Sequence, residues 1–153
     1  MKKEMSEQKR ASLSPNNVVR LPIKDDEFFN VWLLMLRPFH GLTGKEMNVA
    51  ASLLRRRERM NDVIKDPTLA DEALLSSSER VRLCDEFSMT DTHLRVILSK
   101  LRKSGFLVGD RINLRFVPDR DPASDRFCLM FDFVIDNNER GNENTGEACV
   151  RKD

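Results

Sequence analysis

Residues 76–116 have the sequence SSSERVRLCDEFSMTDTHLRVILSKLRKSGFLVGDRINLRF, and this stretch decides the fold. Thr90 is a residue type favoured at helix N-caps, and Asp91 places negative charge in the first turn after it. The apolar residues that follow recur at helical spacing: Leu94, Ile97, Leu98 and Leu101. Glycine readily adopts the left-handed conformation of a helix C-terminus, so Gly105 is expected to end the element. The pattern predicts an amphipathic helix that begins at Thr90 and stops at Gly105.

A second helix is predicted just before this one. It starts after Ser78 and is expected to bury Val81 and Cys84. Leu83 and Phe87 lie near its end. A short turn follows, and two helices joined by a tight turn form a helix-turn-helix.

The pattern changes to a period of two after Gly105. Phe106–Val108 is predicted as a short strand, and alternation continues through Ile112, Leu114 and Phe116. Residues 118–125 (PDRDPASD) have the composition of a loop. Arg126 to Ile135 is predicted as a second long strand, with an alternating aromatic and aliphatic set: Phe127, Leu129, Phe131 and Phe133. The fold class predicted is mostly α with a C-terminal β-hairpin, a winged helix-turn-helix with this hairpin as the wing.

Helices are also predicted upstream of the helix-turn-helix. An apolar helix from Asp25 to Leu36 ends before Pro38, and it could be core to one subunit or form the seam of a homodimer. The core interpretation is the preferred one. Thr43 with Glu46 has the spacing of a capping box, so a second helix begins there. Its buried stripe is Met47, Ala50, Ala51 and Leu54. Thr68 to Leu75 is a candidate short helix, ended by Ser76–Ser78.

Charge and composition divide the chain into three parts. Residues 1–24 carry six basic and two acidic side chains and are interpreted as a flexible basic arm. Residues 25–135 are the predicted winged helix-turn-helix domain, and residues 136–153 are a polar tail expected to be disordered. No apolar run approaches the roughly 20 residues that cross a bilayer, and no signal peptide is recognisable. The sequence therefore predicts a soluble cytoplasmic protein without a membrane partner.

The sequence carries no motif for catalysis, a cofactor or a metal. Its cysteines (Cys84, Cys128 and Cys149) are far apart, and zinc ligands cluster in recognisable spacings. They are interpreted as two small buried apolar residues and one tail thiol. No glycine-rich phosphate loop or nucleophile elbow is present, so an enzyme is not expected.

The residues predicted to contact DNA lie mainly on the outward side of the Thr90 helix, because such a helix fits the major groove of B-DNA. Arg95 could bond guanine O6 and N7, or could form a surface ion pair with Asp91. The basic run 55–59 could contact phosphates or be a solvated face. The full predicted set is Thr90, Thr92, His93, Arg95, Val96, Ser99, Lys100, Lys103, Arg111, Arg115, Arg55 and Arg56.

Two short motifs carry a resemblance to a known group. LTGKE opens the Thr43 helix, and the pattern L-x-K-L-x-K-x-G-x-L runs from Leu98 to Leu107. Together with the element order, they resemble the winged-helix replication initiators of plasmids and phages called the RepL type. The second motif is shared with MarR-like regulators. The resemblance covers about residues 25–118 and implies binding to an origin or operator, in a bacterial or phage-infected cell, without chemistry of its own.

Two functional hypotheses follow. The first is sequence-specific binding of double-stranded DNA, by a replication initiator or a transcription regulator of a phage or plasmid. The second is a winged helix used as a protein-interaction module in a replication, transcription or virion assembly. The net charge of only +1 and the mixed charges of the predicted wing tip favour the second.

Overall fold

The computed structural model describes residues 18–136, so most of the predicted arm and tail lies outside the described residues. Within that range the chain is mostly helical and has a small two-stranded antiparallel sheet near its C-terminal end. The helices are α1 (Phe28–Met35), α2 (Arg37–His40), α3 (Gly44–Val63), α4 (Pro67–Leu74), α5 (Ser77–Glu86) and α6 (Asp91–Lys103). The strands are β1 (Leu107–Val108) and β2 (Arg111–Ile112), and 3₁₀ turns lie at Asp25–Glu27 and Leu114–Phe116.

The first helical segment is longer than predicted and broken. Residues 25–27 form a 3₁₀ turn before α1, and Pro38 does not end the segment but lies in the first turn of α2. Proline is tolerated there because the first backbone N–H groups of a helix have no intrahelical acceptor. Gly41, at φ +64°, ends α2 instead.

The capping box at the start of α3 is confirmed. Glu46 accepts a hydrogen bond from the Thr43 backbone N–H at 3.3 Å. The helix then runs for 20 residues, and its buried face includes Ala50, Ala51 and Leu54 as predicted. Met47 is only half-buried. Because α3 packs against α1, α4 and α6, it is the central element of the fold.

The predicted short helix is also confirmed, as α4, but the serine run after it has a different role. Asp66 caps α4 by accepting a hydrogen bond from the Thr68 backbone N–H at 3.0 Å. Ser77 already belongs to α5, so the serines begin the next helix.

The buried face of α5 was predicted wrongly. Val81 is exposed and Cys84 is half-buried, whereas Leu83 and the carboxylate residue Glu79 are buried. An ion pair with Arg56 of α3 allows Glu79 to lie inside, since a buried charge is tolerated when it is paired. The sequence pattern of α5 alone does not show this distant partner.

The prediction for α6 is confirmed in its cap, its buried face and its end. The Thr90 hydroxyl accepts a hydrogen bond from the His93 backbone N–H at 3.2 Å. The four apolar residues of the predicted stripe are buried: Leu94, Ile97, Leu98 and Leu101. Gly105 has φ +80°, the left-handed conformation expected after a helix.

The hairpin is shorter than predicted and lies earlier in the chain. Leu107 pairs with Ile112 and Val108 with Arg111, so the turn is Gly109–Asp110. Gly109 has φ +65°, which suits the two-residue turns of hairpins. Asn113 ends β2 because its side chain accepts the Arg115 N–H and donates to the Gly105 carbonyl.

The predicted long strands were therefore wrong. Leu114 and Phe116 belong to a 3₁₀ turn, and Leu114 is exposed. Residues 126–135 form neither strand nor helix, and most of their side chains are exposed. A first compact unit ends at Pro118, and residues 119–136 belong to a second. The residues 118–125 are consequently not the tip of a wing.

The core of the first unit is closed by the 3₁₀ turn that follows the hairpin. Phe116 is buried, its ring lies 5.8 Å from that of Phe106, and its carbonyl accepts a hydrogen bond from Trp32 Nε1 at 2.8 Å. This bond ties the last described turn of the unit to α1. Among residues 18–136, none of the helices combines the length and the hydrophobicity that a membrane span requires.

Candidate nucleic-acid interface

The outward side of α6 brings most of the predicted contact residues together. The exposed residues there are Thr92, His93, Arg95, Val96, Ser99 and Lys100. These side chains face away from the core because the apolar residues on the opposite side of α6 are buried in it. The 13 residues of α6 give it a length of about 20 Å, at 1.5 Å per residue. The result is a helix with one buried side and one hydrogen-bonding and cationic side.

Thr90 has a structural role at the start of this surface. Its hydroxyl is occupied as the N-cap of α6. An N-cap residue satisfies a backbone N–H that otherwise has no acceptor. Thr90 therefore fixes where the exposed first turn of α6 begins.

Arg95 forms the surface ion pair that was one of its two predicted interpretations. Its Nε lies 2.8 Å from Asp91 Oδ2, and both side chains are mostly exposed. Exposed pairs of this kind contribute about 0–1 kcal/mol, so a competing partner can displace Asp91. The pair orients the guanidinium along the first turns of α6 without burying it.

Lys100 pairs with a less exposed carboxylate than Arg95 does. Its Nζ lies 3.0 Å from Glu46 Oε1, which joins α6 to the first turn of α3. The hydrogen bond from Lys100 lowers the pKa of Glu46 below its ordinary value, against the opposing effect of partial burial. Thr43 adds to the lowering through its backbone and side chain. Lys100 thus positions α6, whereas Lys103 is exposed and makes no ion pair within residues 18–136.

Arg111 and Arg115 are not the pair of wing residues that was predicted. Arg111 lies in β2, 3.4 Å from the carboxylate of Glu72 on α4. Arg115 lies beyond the hairpin, with its guanidinium 5.3 Å from the centre of the Phe39 ring. Only Arg111 belongs to the hairpin that is present.

The basic run in α3 is not a uniformly solvated face, and a phosphate contact by Arg55 or Arg56 stays a prediction. Arg55 donates to the Asp26 backbone carbonyl at 3.0 Å. Arg56 pairs with Glu79 and Glu86 of α5, at 2.5 and 2.6 Å, and Arg57 is buried. These arginines mainly join α3 to its neighbours, and the prediction of a solvated face is wrong for Arg56 and Arg57.

Arg102 is a positioning residue that the sequence reasoning missed. Its Nε donates to the Gly109 carbonyl at 2.9 Å, and its Nη2 lies 2.7 Å from Asp110 Oδ1. The hairpin turn is thereby fixed to the last turn of α6. The sequence shows only a cation in the last turn of a helix, which suits the helix dipole without revealing this contact.

The described residues offer no metal centre. Within residues 18–136, His, Cys, Asp and Glu side chains form no group of three or more that could hold an ion. Cys84 is half-buried and Cys128 is exposed, so the interpretation of both as buried apolar residues is wrong. Cys149 lies outside the described residues.

Comparisons of the chain with protein-family models, with curated proteins and with solved structures gave no match.

Proposed function

We propose that this chain binds double-stranded DNA through a winged helix-turn-helix, with α5 and α6 as the two helices and β1–β2 as the wing. The observation that carries the proposal is the two-sided character of α6. One side is buried in the core, and the other presents polar and cationic side chains along the first turns after the Thr90 cap. A helix of this kind fits the major groove, where its N-terminal residues reach base edges.

Arg95 is the residue proposed to recognise a base. Its guanidinium can bond guanine O6 and N7 together when it leaves Asp91, since both acceptors lie on the major-groove edge. Thr92, one turn before Arg95, is close enough in the helix to bond a neighbouring base or phosphate. His93, two residues before Arg95, lies further around the helix and is assigned a base or phosphate contact of its own. Ser99 and Lys103 lie further along and suit phosphates, which position a protein without reading sequence.

The hairpin offers fewer cationic side chains for DNA contact than the wing that was predicted from the sequence. It is only two residues per strand, with Arg111 as its one cation and Asp110 at its turn. The proposal therefore assigns most of the affinity to α6 and, outside the described residues, to the basic arm with Lys2, Lys3, Lys9 and Arg10. A role in replication or transcription of a phage or plasmid stays a prediction from the resemblance.

The test begins with selection of a preferred site from a random duplex library by the full chain. Arg95→Ala is then compared with Arg82→Ala in binding to the selected site and to random duplex. The two arginines are matched, because each lies on a helix in a local ion pair and their side chains are 69% and 70% exposed.

Arg95→Ala is expected to weaken binding to the selected site by about 1–3 kcal/mol more than binding to random duplex. Arg82→Ala should leave the ratio between the two affinities unchanged. Equal discrimination by wild type and Arg95→Ala would contradict the base-reading role.

A protein-interaction module is the second candidate. It is favoured by the carboxylate partners of Arg95, Lys100 and Arg111, which reduce the excess of positive charge around α6. It predicts no affinity for duplex DNA at physiological salt and a stable complex with a partner protein in a pull-down. DNA binding at physiological salt that depends on Arg95 would rule against it.

A further inference from the structure

The middle of the outward side of α6 is made of small side chains. At about 3.6 residues per turn, the positions that lie opposite the buried stripe, before the last turn of α6, are Thr92, Val96 and Ser99. All three are exposed, and we call them the central strip. The longer side chains of Arg95 and Lys100 lie to either side of it. When such a helix lies in a major groove, its central strip is the part nearest the base edges.

Val96 is the apolar member of the central strip. Within α6, which lies wholly inside the range 18–136, it is the one side chain that is both apolar and exposed, at 49%. Helix stability does not account for a valine here, because valine is less favourable than alanine in a helix. The core does not account for it either, since the buried stripe lies on the opposite side of α6. An apolar group in this position suits contact with something that α6 binds.

We propose that Val96 recognises the methyl group of a thymine in the major groove. This inference rests on the proposed DNA binding and specifies part of the sequence that is bound. The base edges in the major groove carry hydrogen-bond donors and acceptors, and the thymine methyl is the apolar group among them. Contact between that methyl and Val96 removes two apolar groups from water. Contact of Val96 with another base would instead cover a donor or acceptor without giving it a partner.

The neighbours of Val96 limit where the thymine lies. Arg95 directly precedes it and is the residue proposed to read a guanine. Thr92 and Ser99 lie one turn away on either side, and their short side chains let the helix come close enough for the two methyl groups of a valine to reach a base. Neighbouring residues of a helix are a few ångströms apart, and stacked bases are about 3.4 Å apart. We therefore expect the thymine within about two base pairs of that guanine.

The experiment starts from the duplex site that the full chain selects from a random library. Each thymine of the site is replaced in turn by deoxyuridine, which removes the methyl group and keeps the base pair. Wild type should bind one of these duplexes about three- to fivefold more weakly, the loss expected when one methyl group is no longer buried. Fluorescence anisotropy at a single fixed salt concentration gives the affinities, because phosphate contacts vary with salt.

Two alanine variants then assign the effect to one side chain. Val96→Ala is compared with Val81→Ala on α5, since both valines are exposed helical residues, at 49% and 60%. Val96→Ala should bind the thymine and deoxyuridine forms of that position equally, whereas Val81→Ala should keep the wild-type difference. Alanine favours the helix more than valine does, so a loss of discrimination in Val96→Ala does not reflect unfolding of α6.

Two results would overturn this inference and leave DNA binding in place. Deoxyuridine could have no effect at any position of the selected site, or the site could contain no thymine close to a guanine. The difference between thymine and deoxyuridine could also persist in Val96→Ala, which would assign it to another residue or to the DNA itself. A chain that selects no site at all would contradict the proposed function, and this inference with it.

Discussion

At the scale of single residues, His40 shows how a polar side chain can hold a bend in the chain. It is buried at the join between α2 and α3. The Leu42 backbone N–H donates to its Nδ1 at 2.9 Å, so its Nε2 carries the hydrogen that is donated to the Leu33 carbonyl at 2.7 Å. The ring thus satisfies a buried backbone donor and a buried backbone acceptor. Nothing in the local sequence distinguishes this histidine from His93, which is exposed on α6.

We expect His40→Ala to lower the free energy of unfolding by about 2–4 kcal/mol, because it leaves two buried backbone groups without partners. His93→Ala should change it by less than about 0.5 kcal/mol, as surface substitutions usually do. Urea unfolding followed by circular dichroism measures both. Similar losses for the two variants would show that the hydrogen bonds of His40 do not stabilise the bend.

The pair Glu46–Lys100 makes stability depend on pH in a predictable direction. A carboxylate whose pKa is lowered in the folded protein contributes stability above its unfolded pKa, and this contribution is lost as pH falls through the folded pKa. Lys100→Met removes the main cause of the lowering. Wild type should therefore be more stable than Lys100→Met at neutral pH, and the difference should shrink in acid.

Lys103→Met is the matched control, since Lys103 lies in the same last turn and is exposed. The difference in stability between Lys103→Met and wild type should stay constant with pH. Thermal unfolding between neutral pH and about pH 3 gives the comparison, across the range in which carboxylates titrate. A constant difference for Lys100→Met as well would mean that the pair does not stabilise α6 on α3.

At the scale of elements, features that residues close in the sequence determine were predicted correctly. Features that depend on contacts between distant residues were missed. The capping box of α3 and the apolar stripe of α6 were found because their signals lie within a few turns of one helix. The buried face of α5 was missed because Glu79 is placed by Arg56, which lies 23 residues earlier. The hairpin was misplaced because alternation continues past Asn113, whose side chain ends the ladder.

One largely buried ion pair joins α3 to α4. Arg57 Nε lies 2.9 Å from Asp71 Oδ1. Arg57→Ala is expected to lower the free energy of unfolding by about 3–5 kcal/mol, because it leaves the carboxylate buried without its partner. Arg59→Ala, two residues along the same run and exposed, should have an effect below about 0.5 kcal/mol.

The double variant Arg57→Met with Asp71→Leu removes both charges. It therefore separates the stability lost with the ion pair from the stability lost when the Asp71 carboxylate is buried without a partner. Replacing a buried pair with apolar residues of similar volume is often neutral, so this variant should recover much of the stability that Arg57→Ala loses. Denaturant unfolding provides the values. A double variant as unstable as Arg57→Ala would contradict the account of this contact.

At the scale of the whole molecule, the division of the chain differs from the pattern that the sequence suggested. The first compact unit ends at Pro118, and the aromatic alternation of residues 126–135 forms no strand. Period-two spacing shows that a segment could form a strand, but pairing requires a partner strand, which the pattern does not supply. The outward side of α6, where the candidate DNA surface was predicted, is exposed as expected, because the buried stripe of a helix also defines its exposed side.

The whole-molecule question is whether affinity for DNA belongs to the folded unit or to the basic arm. Residues 1–17 contain four cations and two carboxylates, and such an arm can bind duplex by charge alone. The fragment 18–118 lacks this arm but contains α6, the hairpin and the core that holds them. Comparing it with the full chain separates binding by this unit from binding by the rest of the chain, once the circular dichroism of the fragment shows the helical content of the fold.

The most direct measurement is a fluorescence-anisotropy titration of duplex DNA with the full chain and with fragment 18–118, at low and at physiological salt. The account predicts that both bind, that the fragment binds more weakly, and that salt weakens both because phosphate contacts release counterions. Binding by the full chain alone would assign the affinity to residues outside 18–118, in the arm or in residues 119–153, and would contradict a DNA-binding helix-turn-helix. Binding by neither would contradict the proposed function.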